Sequence, residues 1–222
     1  MTKRNKNNIL YKLNFLKSLG FEYCENINLS INLENTQKLP NNLNELKNIV
    51  DNCHLCSLSK SRKNVLFGIG NINSDVVFLY DEPNSFEDSH GEYYWGKNSE
   101  LLAKMIESVL EVKKEEVYLS AIVKCKSSKG NITCDDVSSC SSYLHKQLSI
   151  LKPKILVLLG ENAHKHLFND NENFDEIRGV FLKYNGIDTM CTYHPSYLLR
   201  NPSLKKEAYH DMLKIKKLME KF

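Results

Sequence analysis

Apolar residues in this chain gather into short continuous runs separated by longer segments in which they recur at helical spacing. The continuous runs are partly β-branched and fall at 75–80 (DVVFLY), 117–123 (VYLSAIV), 154–160 (KILVLLG) and 188–193 (DTMCTY). Runs of that length without polar alternation suit strands covered on both faces. NSELLAKMIESVL and DDVSSCSSYLHKQLSIL separate the first three, and ENAHKHLF follows the third, all with helical character. Such alternation predicts an α/β domain built on a parallel sheet buried on both faces. GVFLKYNG, at 179–186, predicts a hairpin arm before the last strand.

Ahead of this core the pattern changes. Residues 8–19 place Ile9, Leu10, Leu13, Phe15, Leu16 and Leu19 at helical spacing, with Gly20 as a stop signal. A polar, Asn-rich stretch follows, then a second helical segment, NLNELKNIVDNC. We therefore expect an N-terminal helical extension and linker over 1–40 and a core domain over 41–222.

Composition narrows the function less than the pattern does. The 222 residues are 41% hydrophobic and 26% charged, ordinary values for a globular chain. A formal net charge of +3 permits nucleic-acid binding without arguing for it. No run approaches the roughly 18 apolar residues of a membrane span, and the N-terminus has no continuous apolar signal core, so a cytoplasmic protein is expected. Seven cysteines without a secretory signal point to reduced thiols, some of them metal ligands, and Cys53 and Cys56 form the one close pair.

In an open parallel sheet, ligands bind beyond the carboxyl ends of the strands. Three chemically active segments sit there: YDEPN (80–84), VKC (123–125) and YHPS (193–196). Asp81 and Glu82, set before a proline at the end of a buried run, are costly unless solvated, paired or used in chemistry. No Walker or dinucleotide glycine loop is present, which weakens nucleotide-cofactor readings.

Five ordered blocks, CHLCSLSKSRKNVLFGIGN, DEPNSFEDSHGEYYWGKNSELL, VYLSAIVKC, LKPKILVLLGENA and YHPSYLLRNPSLKKEAYHDM, resemble the iron-sulfur uracil-DNA glycosylases of family 4. The likeness spans roughly residues 43–220 and is most specific at HPSYLLRNP. It implies a three-layer α/β/α fold around a four-stranded parallel sheet, a DNA-facing groove and a 4Fe-4S cluster. It also implies flipping of a deoxyuridine from DNA and hydrolysis of its N-glycosidic bond, leaving an abasic site.

The family's cluster ligands map onto Cys53, Cys56, Cys125 and Cys140, with Cys134 as a competitor for the last place. Four thiolates suit an iron-sulfur cluster, with zinc as the alternative. Cys24 and Cys191 read as core or surface thiols.

Breaking the glycosidic bond needs a negative or water-activating group at the sugar and a donor at the base oxygen. Asp81 or Glu82 supplies the first and His194 the second. The family's first block reads Gly-Glu-Ala-Pro-Gly, so Asp81 stands at its Glu and Glu82 at its Ala. In family 1, however, the water-activating Asp stands immediately before the proline, which slightly favours Glu82. The resemblance further implies that Tyr94 stacks on the flipped base, with Ser196 beside it in the pocket. Ala121 stands where the family's base-reading Asn belongs, which leaves uracil specificity open. Lys124 and Arg200 are expected to contact phosphate, with Lys126, Lys129, Lys205 and Lys206 nearby, and Leu198 or Leu199 to act as the wedge.

The sequence thus predicts a monomeric DNA glycosylase for uracil or another deaminated or damaged base in base-excision repair, with DNA as partner and no identifiable protein partner. A weakly active or inactive iron-sulfur DNA-binding protein on the same fold is the alternative.

Overall fold

The computed structural model describes residues 39–128, 130–170 and 172–222. The helix expected at 8–19, the linker after it, Cys24 and Lys129 lie outside the described residues.

Helix α1 (Leu43–Asp51) starts at Asn42, whose side chain accepts from the Asn44 and Glu45 amides, and it buries Leu46 and Val50. Strand β1 is the residue pair Ile69–Gly70, and β2 (Val76–Tyr80) is buried at all five positions. A capping box between Asn84 and Glu87 opens α2 (Ser85–His90), and left-handed Gly91 closes it. Helix α3 (Lys97–Met105) runs into a π-helical turn, Ile106–Leu110, before β3 (Tyr118–Ala121). Thr133 and Asp136 form a second capping box at the start of α4 (Cys134–Leu151). The chain continues through β4 (Ile155–Leu159), α5 (Glu161–Phe168), α6 (Phe174–Ile177), β5 (Phe181–Tyr184), β6 (Ile187–Thr192), α7 (Pro195–Arg200) and α8 (Lys205–Met219).

The described strands form one six-stranded sheet in the order β1-β3-β2-β4-β6-β5. Its centre, β3-β2-β4-β6, is the expected four-stranded parallel sheet. The expected α/β architecture holds, but a short antiparallel strand is added at each edge: β1 on β3, and β5, the predicted hairpin arm, on β6. Strand β1 escapes prediction because it has no hydrophobic run. A Cβ on Gly70 would lie 1.9 Å from the Val117 carbonyl oxygen, so the pairing tolerates only glycine there.

Alternation in the pleat sorts the core into two faces. Phe78, Tyr80, Leu119, Ala121 and Val157 cluster with Leu102 and Ile106 of the α3 segment and Met212 of α8. Val77, Leu79, Tyr118, Leu156 and Leu158 cluster with Leu144 and Leu148 of α4 and Ala163 of α5. A third cluster joins α1 to α4 and contains the thiols of Cys125 and Cys140.

A buried carboxylate fixes the last strand against the last helix. Asp211 of α8 accepts two bonds from Arg178 Nη1, at 2.9 and 3.0 Å, and one from Thr192 Oγ1 at 2.8 Å. Thr192 ends β6, so this contact sets where Tyr193 and His194 leave the sheet. Asp211→Asn should lower unfolding free energy by about 3 kcal/mol in urea titration, because a half-buried guanidinium loses the buried one of its two carboxylate partners and keeps only the more exposed Glu207 at 3.1 Å.

Candidate active site

A cleft of about 660 Å³ opens beyond the carboxyl ends of the parallel strands. Asp81 and Glu82 after β2, Gly160 and Asn162 after β4, and His194, Ser196 and Arg200 after β6 all line it. Phe174 and Asp175 of α6 and Tyr193 and Tyr197 complete much of the wall. Two of the three segments singled out by sequence therefore converge on the cleft directly; the third, after β3, reaches it through Lys126.

His194 is the N-cap of α7, and its position fixes its protonation. The Ser196 amide donates to His194 Nδ1 at 3.1 Å, and Ser196 Oγ lies 2.6 Å from the same nitrogen. An Nδ1 that accepts an N–H bond carries its lone pair there, so the neutral ring holds its proton on Nε2. Burial pushes the His194 pKa below the ordinary value, opposed by Asp81 and helped by Arg200. The ring tilts against Tyr80 with centroids 5.2 Å apart. Behind it, Gly160 has φ +96°, and a Cβ there would lie 2.9 Å from His194 Cβ. Glycine at this strand end is thus a condition for seating the histidine.

The two acids occupy different settings. Glu82 Oε1 receives Lys126 Nζ at 2.5 Å, and Oε2 accepts the Ser127 amide at 2.8 Å. Burial raises its pKa, against the pull of Lys126 and Ser127. Asp81 receives Asn162 Nδ2 at 3.2 Å. Asn162 went unnoticed in the sequence, although its place just past β4 is the kind of strand-end position that marked the others.

Other expected site residues sit elsewhere. Lys124 was expected to contact phosphate, but it is fully buried, with Nζ donating to Ser120 Oγ (2.7 Å), the Ala121 carbonyl (2.6 Å) and Gln147 Oε1 (2.7 Å). An ammonium enclosed by three protein acceptors cannot reach a phosphate, and burial lowers its pKa to about 8. Tyr94 is not among the cleft-lining residues; its hydroxyl donates to the Lys114 carbonyl at 3.3 Å and its ring packs on the sheet core. Ala121 is also buried in that core rather than lining the cleft. Leu198 is buried, while Leu199 and Arg200 are exposed.

A second pocket gathers Cys53, Cys56, Cys125 and Cys140 with Arg62, Lys124 and Tyr143. Cys134, nearly two turns before Cys140 on α4, is exposed and outside it. Arg62 Nη1 donates to Cys125 Sγ at 3.2 Å. Burial raises the thiol pKa of Cys125 to about 11 and also raises that of Cys140. Four thiols lining one pocket are a donor set that could hold an iron-sulfur cluster or zinc. Cationic Arg62 and Lys124 suit the negative charge of a thiolate-ligated centre. Cys191 is a core thiol directed at the Gly160 carbonyl.

Residues 67–214 match the family model described as the uracil DNA glycosylase superfamily. The type-4 uracil-DNA glycosylase of Sulfurisphaera tokodaii is 32% identical over 185 residues, covering 79% of this chain and 84% of that protein. The type-4 enzyme of Saccharolobus solfataricus is 30% identical over 187 residues, covering 80% and 87%. That of Archaeoglobus fulgidus is 28% identical over 188 residues, covering 81% and 94%.

The His194 assignment has a measurable consequence. ¹⁵N imidazole shifts should report the neutral Nε2–H form at pH 7 and a midpoint below about 6.5. The folded protein then binds this proton less readily than the unfolded chain. The site's contribution to stability is therefore full above about pH 6.5 and is lost as pH falls below it.

Proposed function

The chain belongs to the uracil-DNA glycosylase superfamily, and we propose that it hydrolyses the N-glycosidic bond of a base flipped out of DNA, in base-excision repair. One observation carries the reading: a neutral Nε2–H donor on His194 and the Asp81 carboxylate share a cleft at the ends of the parallel strands. The inactive DNA-binding alternative is not favoured, because both sides of the charge requirement persist.

As the C1′–N bond breaks, its electron pair leaves with the base, and negative charge grows on the carbonyl oxygen that accepts from His194. Positive charge grows on the sugar, where Asp81 stabilises it. A water held by Asp81 adds at C1′ and gives up a proton through that carboxylate, and the departing base takes up a proton from solvent. Asn162 aims Asp81. Glu82 was slightly favoured for this role from sequence; we assign it to positioning because both its oxygens are occupied by Lys126 and Ser127.

No amide stands at 121 to read the base. Register places Tyr80 beside Ala121, so the small Ala121 side chain leaves room for the buried Tyr80 ring. The Tyr80 hydroxyl has no hydrogen-bond partner among the described residues, and neighbouring Ser99 commits its own hydroxyl to Glu87 at 2.5 Å. We assign Tyr80, buried behind His194 and outside the cleft lining, to positioning that ring; with no amide at 121, uracil is one candidate among modified bases. Entry of Tyr94 into the pocket would then require it to leave its Lys114 contact.

On the DNA side, Arg200 at the cleft rim and exposed Lys205 and Lys206 are the proposed phosphate contacts, and exposed Leu199 the wedge. Cys53, Cys56, Cys125 and Cys140 would hold a 4Fe-4S cluster, which supplies a redox-capable cross-link between the segment after α1, the end of β3 and α4. We propose action as a monomer. Among the described residues, no helix is long and apolar enough to cross a membrane.

Strand-cleavage assays on oligonucleotides carrying uracil, hypoxanthine, xanthine or a damaged pyrimidine test the mechanism. His194→Ala should lower the rate about 10²–10³-fold and Asp81→Asn about 10²–10⁴-fold, whereas Glu82→Gln should cost under about tenfold. Equal losses for Asp81→Asn and Glu82→Gln would reverse the roles assigned to the acids. Tyr80→Phe should leave the ranking of bases unchanged, because its hydroxyl is sealed from the cleft. Anaerobically purified protein should be brown, with about four irons and four sulfides per chain; Cys140→Ala should bleach it and Cys134→Ser should not.

A further inference from the structure

Helix α5 holds a buried histidine that the glycosylase reading does not use. His164 is 1% exposed, and neither ring nitrogen has a hydrogen-bond partner among the described residues. Phe168, one turn later, stacks on its face with centroids 4.6 Å apart and holds the ring in place. Its Nδ1 lies 3.2 Å from Asp170 Oδ1 without forming a hydrogen bond, and one oxygen of exposed Glu172 lies nearby. The three donor atoms lie within 4.8 Å of one another.

We propose that His164, Asp170 and Glu172 form a site for a first-row divalent cation of the zinc kind. A buried imidazole nitrogen whose lone pair faces two carboxylates is unfavourable unless a proton or a metal cation lies between them, and the hydrogen bond that a proton would make is not formed here. One nitrogen and two carboxylate oxygens are an ordinary zinc donor set and leave a position for water. Bonds of about 2.0–2.2 Å place neighbouring donors about 3–3.6 Å apart, so only a small contraction is needed. The residues are separate from the cleft lining and from the thiol pocket. They connect α5 to the segment leading into α6, whose Phe174 and Asp175 form part of the cleft wall. A bound cation would tie that wall to α5.

Calorimetric titration of the cluster-loaded protein with Zn²⁺, in a Cys134→Ser background that removes the exposed thiol, tests the site. One equivalent should bind, at least tenfold more weakly in Asp170→Asn and in Glu172→Gln, and should be lost in His164→Gln. Zn²⁺ should also raise the melting temperature of the parent in a concentration-dependent way but not that of Asp170→Asn. Since Glu172 is exposed, Glu172→Gln keeps the test decisive if changes at the buried histidine impair folding. No Zn²⁺ heat, equal affinity in the parent and the two acid variants, or a His164 imidazolium paired to Asp170 that ignores added Zn²⁺ would each overturn the proposal.

Discussion

Two main-chain hydrogen bonds just beyond the paired strands hold the functional end of this protein together. Ile122 donates to the Tyr80 carbonyl at 2.9 Å and Val123 to the Asp81 carbonyl at 3.1 Å. They extend the β2–β3 ladder until it carries the acids on one side and the VKC segment on the other. From there one short stretch serves both pockets. Lys124 turns inward to its three acceptors, Cys125 joins the thiols, and Lys126 with the Ser127 amide takes hold of Glu82. The thiol pocket and the cleft are therefore neighbours along the backbone.

This arrangement separates two adjacent carboxylates that sequence alone leaves equivalent. Successive residues at a strand end point in different directions. Glu82 meets the chain returning after β3, and Asp81 meets Asn162 at the end of β4. An acid already receiving two donors is poorly placed to orient a water, whereas one steadied by a single amide retains acceptor capacity. The neighbouring histidine is specified in the same local way: an N-cap geometry supplied by Pro195 and Ser196 decides which nitrogen bears the proton.

The four central strands were legible because each is buried on both faces and so reads as an unbroken apolar run. Helix α5 matches its segment residue for residue, and α4 begins one residue early. Strand β1 and helices α2 and α6 were not legible, being too short to show a period and relying on a glycine contact or an Asn cap. Sequence position singled out His194 and Asp81, which line the cleft, and the four thiols, which share a pocket, because they follow strands or resemble known blocks. It misassigned Lys124, since a lysine beside a cysteine reads as surface charge and its cage includes Gln147, 23 residues away. The Lys126–Glu82 pair spans 44 residues and was equally invisible.

The thiol pocket also constrains the order in which the molecule is assembled. Its sulfurs come from 53 and 56, from 125 and from 140, and a parallel β2–β3 pairing brings the second group to the first. Contacts separated by some seventy residues close late, after the loop entropy between them has been overcome. A nascent chain thus has both β2 and β3 synthesised before the last of these sulfurs exists, so the strands of the central ladder are available to pair before the thiol set is complete.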